Sequence, residues 1–263
     1  MLPNFLHVGV AKGASTWLYQ ACIEHPDVCV PPANDNVNFF LIHYHYGLQW
    51  YQQQYFSDYK HEKAVGEFSN SYMISEIALE RITRDLPGVR LSMLLRNPVE
   101  RAYLHWAHDH YKIVSRKPVD SPPQSGDSVG DWNGFIIEKF VKLPLEVAMH
   151  PNGWGWCRQY LEPGLYAACL RRIQDRFPAG QVKIMLHEDL CAHPEGFIRE
   201  YFHWLGVKPD FKPPCLHSDV NPDTPETDAS RMSPDLRDFL RGFYREDTAE
   251  LQRMLGRDLS HWQ

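Results

Sequence analysis

The sequence predicts an α/β protein, a single domain over residues 1–263 with a central parallel sheet flanked by helices. Three observations predict it. Phe5-Leu6-His7-Val8-Gly9-Val10 is mostly apolar without alternation, the pattern of a strand covered on both faces. It runs through a turn of small residues, Ala11-Lys12-Gly13-Ala14, into a helical stretch that begins at Ser15. Leu91-Ser92-Met93-Leu94-Leu95 repeats the arrangement, ending in Arg96 and turning into a helix at Pro98.

The first strand spans about Asn4 to Val10, and the turn after it reads as a phosphate cradle. Such a turn supplies free backbone N–H groups, and the helix from Ser15 to Glu24 presents the positive end of its dipole. Ser15 and Thr16 add hydroxyls, and Lys12 adds a full charge. The build is P-loop-like, yet the lysine precedes the glycine and stands three residues after Gly9, which is not the nucleoside-triphosphate spacing. The bound group is therefore expected to differ from a simple ATP tail. His25-Pro26 stops the helix, and Val28-Cys29-Val30 leads through Pro31-Pro32 into an Asn-rich loop ending at Phe39-Phe40.

Gly47 to Tyr59 reads as an amphipathic helix whose aromatics, Trp50, Tyr51, Tyr55 and Phe56, are assigned to the core rather than to a sugar-stacking platform. A short strand within Ala64 to Tyr72 then delivers Glu67 at its carboxyl end, the edge where open α/β sheets bind ligands. Taken alone, such a carboxylate reads first as a cap or an ion-pair partner. A helix from Ser75 to Asp85, closed by Pro87-Gly88, precedes the Arg96 strand. Arg96 suits phosphate because a guanidinium fork matches phosphate oxygens, whereas Arg101 reads first as a structural partner. Pro98 sits well in a first helical turn, where its missing N–H costs nothing.

Of His105, His108 and His110 only the first two share a helix face, so they are read as acceptor-side or surface residues and no metal site is expected. The Pro-, Ser- and Gly-rich stretch 115–134 is a long loop or lid, 135–149 is helical, and 153–157 forms an aromatic turn. A helix from Gly164-Leu165-Tyr166 to Phe177-Pro178, a strand from Gln181 to Leu186 followed by Glu188-Asp189-Leu190, and helices Pro194 to Leu205 and Ser233 to Leu255 complete the chain. Between the last two, His217 to Thr227 is rich in proline and aspartate and has neither lysine nor arginine.

At 263 residues the chain can bury a substantial core. A net charge of −6 excludes the broad basic field that nucleic-acid or anionic-membrane partners require, so neither is expected. Its six cysteines are scattered without a Cys-x-x-Cys pair, as free thiols of a reducing compartment would be. No apolar run approaches the roughly 20 residues of a membrane span, and Met1 lies close to the first strand. A cytoplasmic enzyme is expected.

The Lys12 turn paired with Arg96-x-Pro98-x-x-Arg101-Ala102 resembles the sulfotransferase family, nearest its carbohydrate (heparan-type) and bacterial branch, over nearly the whole chain. The resemblance implies the sulfotransferase fold and transfer of a sulfuryl group from 3′-phosphoadenosine 5′-phosphosulfate (PAPS) to a hydroxyl or amine of a small-molecule or carbohydrate acceptor, releasing PAP. It implies that Lys12, Gly13, Ala14, Ser15, Thr16 and Trp17 hold the 5′-phosphate side, with Lys12 also catalytic. It further implies that Arg96 holds the 3′-phosphate and that Glu67, in a segment similar to Glu-Lys-Ser/Thr-x-x-Tyr, is the general base across a cleft from Lys12. No metal is required in this scheme. The chain departs from the family pattern in several places. Asn36-Val37-Asn38-Phe39-Phe40 lacks the usual lysine–glutamate pair, Phe68 replaces a lysine, Leu104 a serine and Ala14 a glycine, and the 217–227 loop is acidic where the heparan branch is basic. A P-loop small-molecule kinase and a catalytically retired PAP-binding protein stand as alternatives.

Overall fold

The computed structural model describes residues 1–32, 36–115, 160–218 and 229–263. Apart from Ser115 the expected loop or lid at 115–134 lies outside the described residues, as do the expected helix at 135–149, the aromatic turn at 153–157 and residues 219–227 of the acidic loop.

Five strands, β1 (Phe5–Gly9), β2 (Val28–Cys29), β3 (Ala64–Phe68), β4 (Arg90–Leu95) and β5 (Val182–Leu186), form one sheet in the order β2-β3-β1-β4-β5. Every pairing is parallel. The principal helices are α1 (Ser15–Glu24), α2 (Gly47–Tyr55), α3 (Glu76–Asp85), α4 (Pro98–Ser115), α5 (Tyr166–Gln174), α6 (His187–Ala192), α7 (Pro194–Leu205) and α8 (Pro234–Leu255). The α/β architecture matches the expectation. Chain contacts divide it into two compact units, Met1–Arg96 with Ala168–Pro222, and Asn97–Ala167 with Asp223–Gln263.

The first unit carries the whole sheet. β1, β3 and nearly all of β4 are buried residue after residue, which explains their unbroken apolar runs. Phe5, Leu18, Tyr19, Phe68, Tyr201 and Phe202 belong to one apolar cluster. His7 is the polar exception in β1. Its Nδ1 lies 3.1 Å from the Ser92 hydroxyl, which in turn lies 3.2 Å from the Tyr201 hydroxyl, and its ring stacks on Phe68. Burial lowers its pKa to about 3, so this histidine is neutral and structural.

In the second unit, Asn97 starts α4, its Oδ1 accepting the Val99 N–H at 3.0 Å, with Pro98 in the first turn. Ala102, Tyr103 and Trp106 of α4 pack with Leu240 and Tyr244 of α8. Arg101 is fully buried and donates to the Tyr160 carbonyl. His105 is also interior, lying edge-on to Tyr160 at 5.1 Å, so it is not a surface residue. His108 is half-buried.

Candidate active site

The cradle forms where β1 ends. Val10 donates to the Leu94 carbonyl at 3.3 Å, holding the start of the turn against the carboxyl end of β4. Gly13 then packs so closely that a Cβ would lie 2.1 Å from the same carbonyl oxygen, a distance no side chain tolerates. On either side of it Lys12 (φ 68°) and Ala14 (φ 72°) adopt left-handed backbone without being glycine, a local cost that the packing of the turn sustains.

Helix α1 begins there without a side-chain cap and without an acidic residue in its first turn. By contrast, Ser75 caps α3 through the Ala78 N–H and Ser233 caps α8 through the Leu236 N–H. An uncapped helix start beside a lysine has its first-turn amides and dipole disposed toward an external anion. Ser15 is buried and its Oγ accepts from Asn70 Nδ2 at 3.3 Å. The Trp17 indole points elsewhere, donating to the Cys215 carbonyl at 3.2 Å, so Trp17 has only its backbone to offer the cradle.

Arg96 follows directly on β4 and is half-buried. Its charge reaches His187, whose pKa falls to about 4, mainly by burial and secondarily through Arg96. The end of β4 therefore carries a guanidinium two residues beyond the carbonyl against which Gly13 rests. The turn after β1 and Arg96 after β4 thus follow neighbouring strands at the carboxyl end of the sheet, and amides, a lysine and a guanidinium are donors of the kind that suits a ligand with more than one phosphate.

Glu67 lies on β3, beside β1, with Leu6 as its register partner. Its carboxylate is not at an open cleft as expected but fully enclosed. Oε1 accepts from the Tyr72 hydroxyl at 2.8 Å and the Tyr51 hydroxyl at 3.2 Å, and Oε2 accepts from the Ser69 hydroxyl at 2.6 Å. Burial raises its pKa to about 7, with the three hydroxyl bonds opposing that rise. A carboxylate has about four acceptor positions, so one, on Oε2, is left over. The arrangement suits a proton acceptor that is half-ionised near neutrality.

The hydroxyls tie Glu67 to the segment that precedes it. Asn38 N–H donates to Ser69 Oγ at 2.8 Å and Phe40 N–H donates to Tyr72 Oη at 3.1 Å. Ser69 and Tyr72 stand at the serine and tyrosine positions of the motif read around Glu67. Tyr51 and Asn38 carried no comparable signal. The aromatic helix also divides, with Tyr51 buried as assigned, while Trp50 is half-buried and Tyr46, just before the helix, is 54% exposed.

Among the described residues no group of three His, Cys, Asp or Glu side chains is placed to hold a metal ion, and no helix is long and apolar enough to cross a membrane. No family model matches the chain. A solved structure of a sulfotransferase from Alicyclobacillus acidocaldarius is similar over 100% of this chain and 99% of its own, at 28% identity and a TM-score of 0.73. Heparan sulfate glucosamine 3-O-sulfotransferase 3B1 of Mus musculus is 27% identical over 98% of this chain. Bifunctional heparan sulfate N-deacetylase/N-sulfotransferase 3 of Homo sapiens is 25% identical over 99% of it. The chain spans 64% of the mouse protein and 31% of the human one.

Proposed function

We infer that this chain, which belongs to the sulfotransferase family, moves a sulfuryl group from PAPS to a hydroxyl or amine of a carbohydrate or small-molecule acceptor and releases PAP. The observation that carries the reading is the uncapped start of α1 beside Lys12, seated on the strand end that leads to Arg96. When bound, PAPS supplies an electrophilic sulfur and a phosphate leaving group. The amides of the Gly13–Trp17 turn and the Lys12 ammonium bind the 5′-phosphate side, and Arg96 binds the 3′-phosphate. Glu67 accepts the proton that the acceptor loses as its oxygen or nitrogen bonds to sulfur and the sulfur–oxygen bond to PAP breaks. Lys12 neutralises the charge that then gathers on the departing phosphate oxygen, a form of stabilisation that grows toward the transition state. In this scheme lysine, guanidinium and amides meet the donor's charge without a metal. The proposal includes a cytoplasmic setting, which the scattered spacing of the cysteines supports.

Calorimetry in EDTA tests the donor side. PAP is expected to bind more tightly than ADP, which lacks the 3′-phosphate, and Arg96→Ala is expected to abolish that preference. Losing a desolvated charge pair costs on the order of 2–5 kcal/mol. ADP binding equal to or tighter than PAP would sink the reading and favour the kinase.

A further inference from the structure

The segment after β3 runs on beside the β1–α1 turn. The Ser69 N–H donates to the His7 carbonyl at 2.8 Å, which carries the pairing of β3 with β1 one residue beyond Phe68. The next residue, Asn70, therefore falls beside the cradle, where its Nδ2 donates to Ser15 Oγ at 3.3 Å and to Asn36 Oδ1 at 3.4 Å. Since the carboxamide oxygen of Asn36 only accepts, the amino end of Asn70 is the one that faces the pair.

Ser15 is the first residue of the uncapped helix α1, and its hydroxyl carries one proton. Accepting from Asn70 occupies a lone pair and turns that proton away from the carboxamide, leaving it for another acceptor. Among the described residues no second hydrogen bond engages this hydroxyl. A phosphate oxygen at the cradle is an acceptor of the kind it lacks, and a hydroxyl already held in one orientation donates to it with less ordering to be done on binding.

The other end of Asn70 is bare. Its Oδ1 is buried without a hydrogen-bond partner, which costs stability, and the two bonds that Nδ2 makes are long. A residue kept for the fold alone would carry that cost without return. Asn36 also leads from this carboxamide to the base. Its backbone carbonyl accepts from Asn38 Nδ2 at 3.2 Å, the Asn38 N–H donates to Ser69 Oγ at 2.8 Å, and the Ser69 hydroxyl donates to Glu67 Oε2 at 2.6 Å. Asn70 thus stands in a run of direct contacts that joins the cradle to Glu67.

We propose that Asn70 is a positioning residue for the donor, holding the Ser15 hydroxyl with its proton directed at the 5′-phosphate of the bound nucleotide. This rests on the donor reading above and goes beyond it by giving a role to a residue outside the β1–α1 turn. Asn70→Asp is the discriminating change. A carboxylate only accepts, so it draws the serine proton toward itself and sets a negative charge beside the anion.

Calorimetry in EDTA with PAP, and with adenosine 3′-phosphate, which lacks the 5′-phosphate, tests this. Asn70→Ala is expected to weaken PAP by roughly two- to ten-fold, the range of one lost hydrogen bond, and to leave adenosine 3′-phosphate unaffected. Asn70→Asp is expected to weaken PAP further than Asn70→Ala does. In a Ser15→Ala background Asn70→Ala is expected to lose its effect on PAP, because the hydroxyl it acts through is gone. Urea melts of Asn70→Ala are expected to show stability unchanged or raised, since the bare oxygen leaves with the side chain. Reduced stability in Asn70→Ala, unchanged PAP affinity, equal losses for the two nucleotides, Asn70→Asp no worse than Asn70→Ala, or an effect that persists without Ser15 would each overturn the assignment. The donor reading is judged separately, by the preference for PAP over ADP. ADP also carries a 5′-phosphate, so the Asn70 effect is read on ADP even where that preference fails.

Discussion

At Glu67 burial and hydrogen bonding pull in opposite directions. Desolvation raises the pKa to about 7, while the hydroxyls of Ser69, Tyr72 and Tyr51 all stabilise the ionised form. A general base works only when ionised, so kcat is expected to rise with pH through about 7. Tyr51→Phe keeps the ring and its stacking but removes a donor to the carboxylate. The acidic limb should therefore move to higher pH, a shift that loss of packing alone does not produce. Glu67→Gln cannot take the proton and should lower turnover by about 10²–10⁴-fold with PAP affinity retained. A pH profile that is flat between 5.5 and 8, or a Tyr51→Phe limb that stays in place, removes Glu67 from the base role. The glutamate was legible in sequence through its position at the carboxyl end of a strand and its resemblance to a motif, whereas its enclosure was not. Enclosure depends on Tyr51, a partner from another element, and no spacing along the chain announces such a contact.

The β1–α1 turn is the element on which the cradle depends, and two consecutive residues in it carry different constraints. Gly13 is required by close approach, since any Cβ meets the Leu94 carbonyl at 2.1 Å. Ala14 is tolerated against its own preference, because an L-residue in left-handed backbone costs roughly 1–2 kcal/mol. Opposite outcomes are expected from two neighbouring substitutions. Gly13→Ala should push the turn off β4 and weaken PAP binding together with stability. Ala14→Gly should relieve strain and stabilise by about 0.5–1 kcal/mol, net of glycine's greater unfolded-state entropy. Urea melts and calorimetry on both variants decide this. If Gly13→Ala binds PAP like the wild type, the packing account of the cradle is wrong. Most elements were readable because their ends carry strong punctuation, His25-Pro26 after α1, Ser75 before α3, Ser233 before α8. The irregular turns at Phe39–His43 and Tyr44–Tyr46 were not, and α2 ends at Tyr55 rather than running on to Tyr59. A continuous aromatic run offers no period to read, and only packing decides which rings face inward.

For the whole molecule, the enclosed glutamate makes folding stability depend on pH in a direction opposite to most carboxylates. In the unfolded chain a glutamate ionises near pH 4.5, but in the folded protein Glu67 holds its proton to about pH 7. Between those values the folded state binds more protons, so stability falls as pH rises, at about 1.4 kcal/mol per pH unit. Below pH 4.5 the carboxyl is protonated in both states and this contribution is fully favourable. His7 works with the other sign. Its folded pKa near 3 lies below the unfolded value of 6.5, so the stability its neutral form supplies is present above pH 6.5 and is lost as pH falls. Glu67→Gln isolates the first effect because both proteins keep His7. The stability of the variant relative to wild type should be constant below pH 4.5, climb through the window to about 7, and level off on the order of 3 kcal/mol higher. Urea unfolding at intervals from pH 4 to 8 measures that difference. A glutamine variant that gains stability while losing turnover would mark Glu67 as a residue kept for chemistry at the expense of the fold. A difference that stays flat across the window would mean that the carboxylate is already ionised in the folded protein, and the enclosure inferred for it would have to be abandoned.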